Sequence, residues 1–136
     1  MSDDRPAPPL AGIRVLDLTT FLSGPFCTQI LADLGAEVVK VEPPAGDSSR
    51  HIPPHFVGED SAYFLANNRS KRSVCIDMRE AEGRALVRDL ALRADVVVEN
   101  FRPGVIARPP PPRPCLARPS GRHQGTNLNR AGKDRT

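Results

Sequence analysis

Arg69, Lys71 and Arg72 fall within four positions of one another in the segment NNRSKRS, residues 67–73. Three cations beside amide side chains could hold phosphate groups, lysine as a point charge and arginine as a forked donor. By pattern alone the run reads first as a solvated basic turn. A second candidate is ENFRPG, residues 99–104, where Asn100, Phe101 and Arg102 place an amide, an aromatic face and a cation after a run of valines. Residues of this kind line the crevice of an open α/β sheet, or they simply end a strand at a Pro-Gly turn. A third is the turn TTFLSGPF, residues 19–26, ahead of a helical pattern. A helix start offers unpaired N–H groups and a partial positive charge that suit phosphate. Any ordinary capped helix begins the same way.

Other chemistries are excluded by spacing. The chain has neither the G-x-G-x-x-G of a dinucleotide site nor the G-x-x-x-x-G-K-[ST] of a P-loop. His51 and His55 are four apart in HIPPH, but the two intervening prolines forbid the helix that would align them on a metal. Ser23 lacks the G-x-S-x-G elbow of a hydrolase. Cys27 and Cys75 read as small core residues. With Cys115 they make three, widely separated and odd in number, which argues against a disulfide framework and for a reducing, cytoplasmic setting. No acid–base pair stands out by spacing.

The elements that must position these residues alternate. GIRVLDL (residues 12–18) predicts a strand. PFCTQILADLG follows as a helix, with Phe26, Ile30, Leu31 and Leu34 at helical spacing, Pro25 at its first position and Gly35 at its C-terminal cap. AEVVKVE (36–42) is a second strand. The proline- and glycine-bearing stretch 43–63 predicts a surface excursion, and excursions of that length are usually functional or disordered. SVCIDM (73–78) is a third strand. Residues 79–94 form a helix with Ala81, Ala85, Leu86 and Leu90 on one side, weakened slightly by Gly83. DVVVENF (95–101) is a fourth strand. Valine-rich strands with little polar alternation imply burial on both faces. The expected class is α/β, with an open, mainly parallel, Rossmann-like sheet. Its ligands would lie outside the strands' carboxyl ends, at residues 18–23, 42–44 and 99–102.

Charge is distributed unevenly. The 136 residues carry 19 basic and 16 acidic groups, a net +3. Residues 106–136 hold seven of the basic groups against Asp134 alone, or +6, so the remainder is −3. The N-terminus shows no secretory pattern, and no apolar run approaches the roughly 18 residues of a membrane span.

Taken in order, LAGIRVLDLTTFLSGPFCTQILADLGAEVVKVEPPAGDSSR, YFLANNRSKRSVCIDM and ADVVVENFRPGV resemble the opening of a class III CoA-transferase, over residues 10–106. This family includes formyl-CoA and carnitine CoA-transferases and the α-methylacyl-CoA racemases. The resemblance implies a Rossmann-like large domain, interlocked homodimers, a CoA thioester and a carboxylic acid as substrates, and no metal. In the transferases an aspartate attacks the acyl-CoA and passes through anhydride and aspartyl-CoA thioester intermediates. Carried over by motif, Thr20, Phe21 and Leu22 would border the CoA and acyl pocket. Lys71 and Arg72 would lie near the CoA phosphates, Asn100 and Phe101 would contact the cofactor, and Arg108 matches an arginine slightly further on. Some transferases have His and Gln where this chain has Thr20 and Leu22, and an arginine where it has Pro43, so acyl preference does not carry over.

The catalytic aspartate of the family lies downstream of ENFRPGV. From Arg108 this sequence instead runs through four consecutive prolines into an arginine-rich stretch. The expectation is an N-terminal fragment without catalytic residues. It comprises a disordered 1–9, the family segment 10–106, and a basic, disordered tail 107–136 of the kind a frameshift yields. The competing readings are a fragment of an acyl-CoA racemase, or a non-catalytic module that binds CoA or a polyanion through the tail. Nucleic acid is disfavoured, because the tail has no aromatic residue for stacking.

Overall fold

A computed structural model of the chain describes residues 6–102. Its centre is a four-stranded sheet built from β1 (Arg14–Asp17), β2 (Glu37–Glu42), β5 (Arg72–Cys75) and β6 (Val96–Val98), in the order β5-β2-β1-β6. Every pairing is parallel, with Leu16 opposite Val39 on one side and Val97 on the other. Helix α1 (Ser23–Asp33) connects β1 to β2, and α3 (Ala81–Arg93) connects β5 to β6. The expected α/β class, open and parallel, is observed.

Alternation along the strands divides the core into two. Leu16, Leu18, Val41, Ile76 and Val87 pack on the α3 side, while Val15, Ala32, Ala36 and Val38 pack on the α1 side. Burial on both faces holds for β1 and β2 after their first residues, but the outer strand β5 is largely exposed. The strands are shorter than their apolar runs.

The helices turn other faces inward than their larger apolar residues suggest. In α1 the buried residues are Gly24, Pro25, Thr28, Gln29 and Ala32. Phe26, Ile30 and Leu34 point outward, continuing from Leu22 as a row between 41% and 52% exposed. The cause is close approach: a Cβ on Gly24 would overlap the side chain of Thr19, so only a small-residue face fits against the strand end. The helix begins two residues ahead of Pro25, which occupies the third position, where its missing N–H is still no loss. The expected stop is present. Gly35 has φ 99°, its N–H donates to the Ala32 carbonyl, and the Ala36 N–H donates to the Leu31 carbonyl, a Schellman motif. In α3 the inward residues are Val87, Leu90 and Ala91, and Leu86 is exposed. Gly83 is there because a side chain would run into the Asp77 carbonyl.

The excursion is ordered. It contains a 3₁₀ turn (Ser48–His51) and a two-stranded ribbon of β3 (Phe56–Val57) and β4 (Asp60–Ser61). It leads into α2 (Ala62–Asn68), a helix the sequence reading did not contain. The hydroxyl of Ser61 caps α2 by accepting from the Tyr63 N–H at 3.1 Å. Arg108 and the tail 107–136 lie outside the described residues.

Candidate functional site

The strand order reverses at β1, since β2 continues on one side of it and β6 on the other. In an open parallel sheet that reversal opens a crevice at the carboxyl ends of the two strands. Two turns meet there, Thr19–Leu22 after β1 and Glu99–Arg102 after β6.

The first turn is fixed by side chains from three directions. Asp17, fully buried at the end of β1, accepts from the Thr19 N–H (2.9 Å) and the Thr19 hydroxyl (2.5 Å). Lys40 of β2 donates its ammonium to the Thr19 carbonyl at 2.7 Å. Asn100 closes the other side: its Oδ1 accepts from the Thr20 N–H at 3.0 Å and its Nδ2 donates to the Thr20 carbonyl at 2.8 Å. All four backbone polar groups of Thr19 and Thr20 thus find side-chain partners, although they belong to no ladder. Phe21 follows at φ 68°, left-handed for a residue with a side chain, and the residue is 55% exposed. That conformation costs on the order of 1–3 kcal/mol and persists where the surroundings over-determine it. Here the surroundings are the fixed Thr19 and Thr20. Opposite, the Glu99 carboxylate accepts from the Phe101 N–H at 2.8 Å, and Phe101 packs partly on the α3-side core.

Beneath the turn lie two buried cations. Lys71 is 2% exposed at its side chain and donates to Asp17 Oδ2 (3.0 Å), the Pro25 carbonyl (2.8 Å) and Asn68 Oδ1 (2.9 Å). Its three protons are thereby all engaged within the protein. Burial pulls its pKa down, against the upward pull of Asp17. Asp17 takes a fourth bond from the Thr28 hydroxyl at 2.6 Å. Lys40 forms an ion pair with Asp47 at 2.9 Å, and Asp47 Oδ1 also accepts from the N–H and hydroxyl of Ser49. Burial raises the pKa of Asp47, but Lys40 and Ser49 outweigh it and leave the carboxyl below its ordinary value.

The ordered excursion is held from the same edge. Glu42, at the carboxyl end of β2, accepts two bonds from Arg50 (both 2.7 Å), one from the Ser73 hydroxyl and one from the Asp47 N–H. Arg50 continues to Asp60 at 2.7 Å and lies over the Phe64 ring, 3.8 Å from its centroid. Burial pushes the Glu42 carboxyl up, yet Arg50, Ser73 and the Asp47 N–H together hold it down at about 2.

The structure therefore brings Thr20, Phe21, Leu22, Asn100 and Phe101 to one crevice. Lys71 reaches its floor from below through Asp17. Arg72 is exposed but opens β5, three interstrand steps or roughly 14 Å from β6, on the far side of the sheet. The sequence reading overlooked Asp17, Lys40, Asp47 and the Glu42–Arg50 clamp. The signal was present: a charged residue inside VLDL or VVKVE cannot be buried without a partner. Among the described residues no group of three or more His, Cys, Asp or Glu could hold a metal, and no helix is long and apolar enough to cross a membrane.

The model of one family, CoA-transferase family III, matches residues 10–109. The chain belongs to CoA-transferase family III. It is 50% identical over 100 residues to succinyl-CoA:glutarate CoA-transferase of Mus musculus, a match covering 73% of this chain and 23% of the relative. Succinyl-CoA–D-citramalate CoA-transferase of Chloroflexus aurantiacus is 50% identical over 107 residues, 78% of this chain and 27% of that one. Among solved structures, a CAIB/BAIF family protein from Brucella suis superposes with a TM-score of 0.71 at 47% identity, covering 75% of this chain and 28% of the other. The chain thus spans about a quarter of the length of the family members it matches.

Proposed function

We propose that this chain carries the CoA-receiving part of a family III transferase, with the CoA thioester bound across the turns Thr19–Leu22 and Glu99–Arg102. The observation that carries the reading is the pairing of Asn100 with Thr20 at the strand reversal, with exposed Phe21 and Leu22 beside it. Aromatic and apolar side chains there suit the uncharged parts of the cofactor, and Arg102 and Arg108 supply cations for its phosphates, while Arg72, at the opposite edge of the sheet, does not reach the two turns. The described carboxylates nearest the crevice are committed to structure: Asp17 accepts four bonds and Glu99 holds the Phe101 N–H. In this reading the aspartate that would form the acyl and CoA intermediates is contributed by sequence other than residues 6–102. A CoA thioester is common to transfer and racemisation, so the same half-site serves either reaction. The interlocked homodimer and a cytoplasmic setting belong to the same reading.

Calorimetric titration of the full chain with coenzyme A tests it, with inorganic pyrophosphate in a parallel arm. Saturable binding of coenzyme A that exceeds that of pyrophosphate and weakens with salt is expected. Equal binding of the two would point to anion capture by the basic tail, and no binding at all would contradict the CoA site.

A further inference from the structure

Both polar atoms of the Asn100 side chain are spent on the neighbouring turn. Its carboxamide pairs with the Thr20 peptide as a strand partner would, accepting at Oδ1 and donating from Nδ2. Thr19 is already held by Asp17 and Lys40. Among the described residues the Thr20 peptide is held by Asn100, and the next residue is the left-handed, exposed Phe21. We propose that Asn100 is a positioning residue of the CoA site, in place of the direct cofactor contact that the family resemblance implies for it: it locks the Thr20 peptide and so presents Phe21 to the ligand.

The inference rests on the CoA reading above and adds how the site is held ready. A left-handed phenylalanine would relax to a right-handed or extended conformation if its N-terminal neighbour were released. Relaxation would swing the ring out of place and oblige the ligand to restore the turn, which lowers apparent affinity by the fraction of competent molecules. The pairing also spans the strand reversal, so it ties the β1 turn to the β6 turn as one unit. Aspartate at position 100 could still accept from the Thr20 N–H but could not donate to its carbonyl, which makes it the graded variant.

The chain contains no tryptophan, so Phe21→Trp places a unique fluorophore on the turn. In the full chain carrying Phe21→Trp, coenzyme A should quench the indole saturably. Adding Asn100→Ala should raise the coenzyme A midpoint by on the order of tenfold and speed amide exchange at Thr20 by a similar factor. Asn100→Asp should fall between. Circular dichroism melts show that each variant remains folded at the assay temperature; if the alanine variant does not, the aspartate variant decides. Weaker binding with unchanged Thr20 exchange would overturn the proposal, because Asn100 would then be a direct ligand contact. Faster exchange with an unchanged midpoint would overturn it as well, because the order of the turn would not matter to the ligand. Failure of coenzyme A to bind the chain with Asn100 intact, by fluorescence and calorimetry alike, contradicts the CoA site itself and removes the basis for both.

Discussion

Lys71 and Arg72 share a peptide bond and face opposite environments. Lys71 is enclosed, with its ammonium divided among Asp17, Pro25 and Asn68, while Arg72 is exposed at the start of β5. Their substitutions should separate accordingly. Lys71→Ala leaves Asp17 buried beside three hydroxyl and amide donors but without its cation, and removing one member of a buried pair costs about 3–5 kcal/mol. Urea unfolding should register that loss, or an unfolded chain. Arg72→Ala should change stability by no more than about 0.5 kcal/mol, as a surface substitution does, and should leave coenzyme A binding nearly unchanged, because β5 lies at the opposite edge of the sheet from the β6 turn. A harmless Lys71→Ala with a large loss of coenzyme A affinity would mean that Lys71 turns outward to the phosphates after all. The cluster of cations at 69–72 was visible in sequence, but which of them points inward depends on Asp17, more than fifty positions earlier.

At the level of elements, the segment between β2 and α2 hangs on Glu42 and Arg50. The Glu42 carboxyl is at about 2 in the folded chain against 4.5 ordinarily. Its contribution is complete above the unfolded value, near pH 4.5, and is lost as pH falls through the folded value near 2. The shift corresponds to about 3 kcal/mol, and Asp47 acts in the same direction. Urea melts followed by circular dichroism from pH 7 downward should show stability falling over that acid window. Glu42→Gln should lower stability at pH 7 and flatten the decline; an equally steep decline in the variant would show that the clamp is not its source. This segment is also where sequence reasoning fell short. Its prolines and glycines argue against regular structure, and they do so correctly for the 3₁₀ turn and the short ribbon. They say nothing of a long-range clamp between Glu42 and Arg50 that orders the whole. In α1 the opposite happened. Phe26, Ile30 and Leu34 announced the helical period, and Gly35 its end, yet the face laid on the sheet is the small one, Gly24, Thr28 and Ala32. Periodicity fixes the helix; close approach to Thr19 and the Thr28–Asp17 bond choose its face. The parallel sheet itself was legible because valine-rich strands alternate with helical runs, and β1 and β2 are indeed buried on both sides after their first residues.

Across the whole molecule, the polar residues form one connected support behind the crevice. Asn68, Lys71, Asp17 and Thr28 lie on one path to the Thr19–Thr20 turn, Asp47 and Lys40 on a second, and Asn100 on a third. Buried polar networks of this kind rigidify what they surround when every member is satisfied. The outcome is a turn that is fixed while its next residues, Phe21 and Leu22, stay exposed, at the sheet position where parallel folds take their ligands. The central claim is a location: the CoA thioester meets this chain at the β1 and β6 turns. The most direct test is to titrate the uniformly ¹⁵N-labelled full chain with coenzyme A and follow its amide resonances. The account predicts saturable shifts concentrated at residues 20–22 and 100–102, with the amides of β3 and β4 unmoved. Shifts confined to residues 107–136, or spread over the β3–β4 ribbon while the two turns stay still, would contradict it.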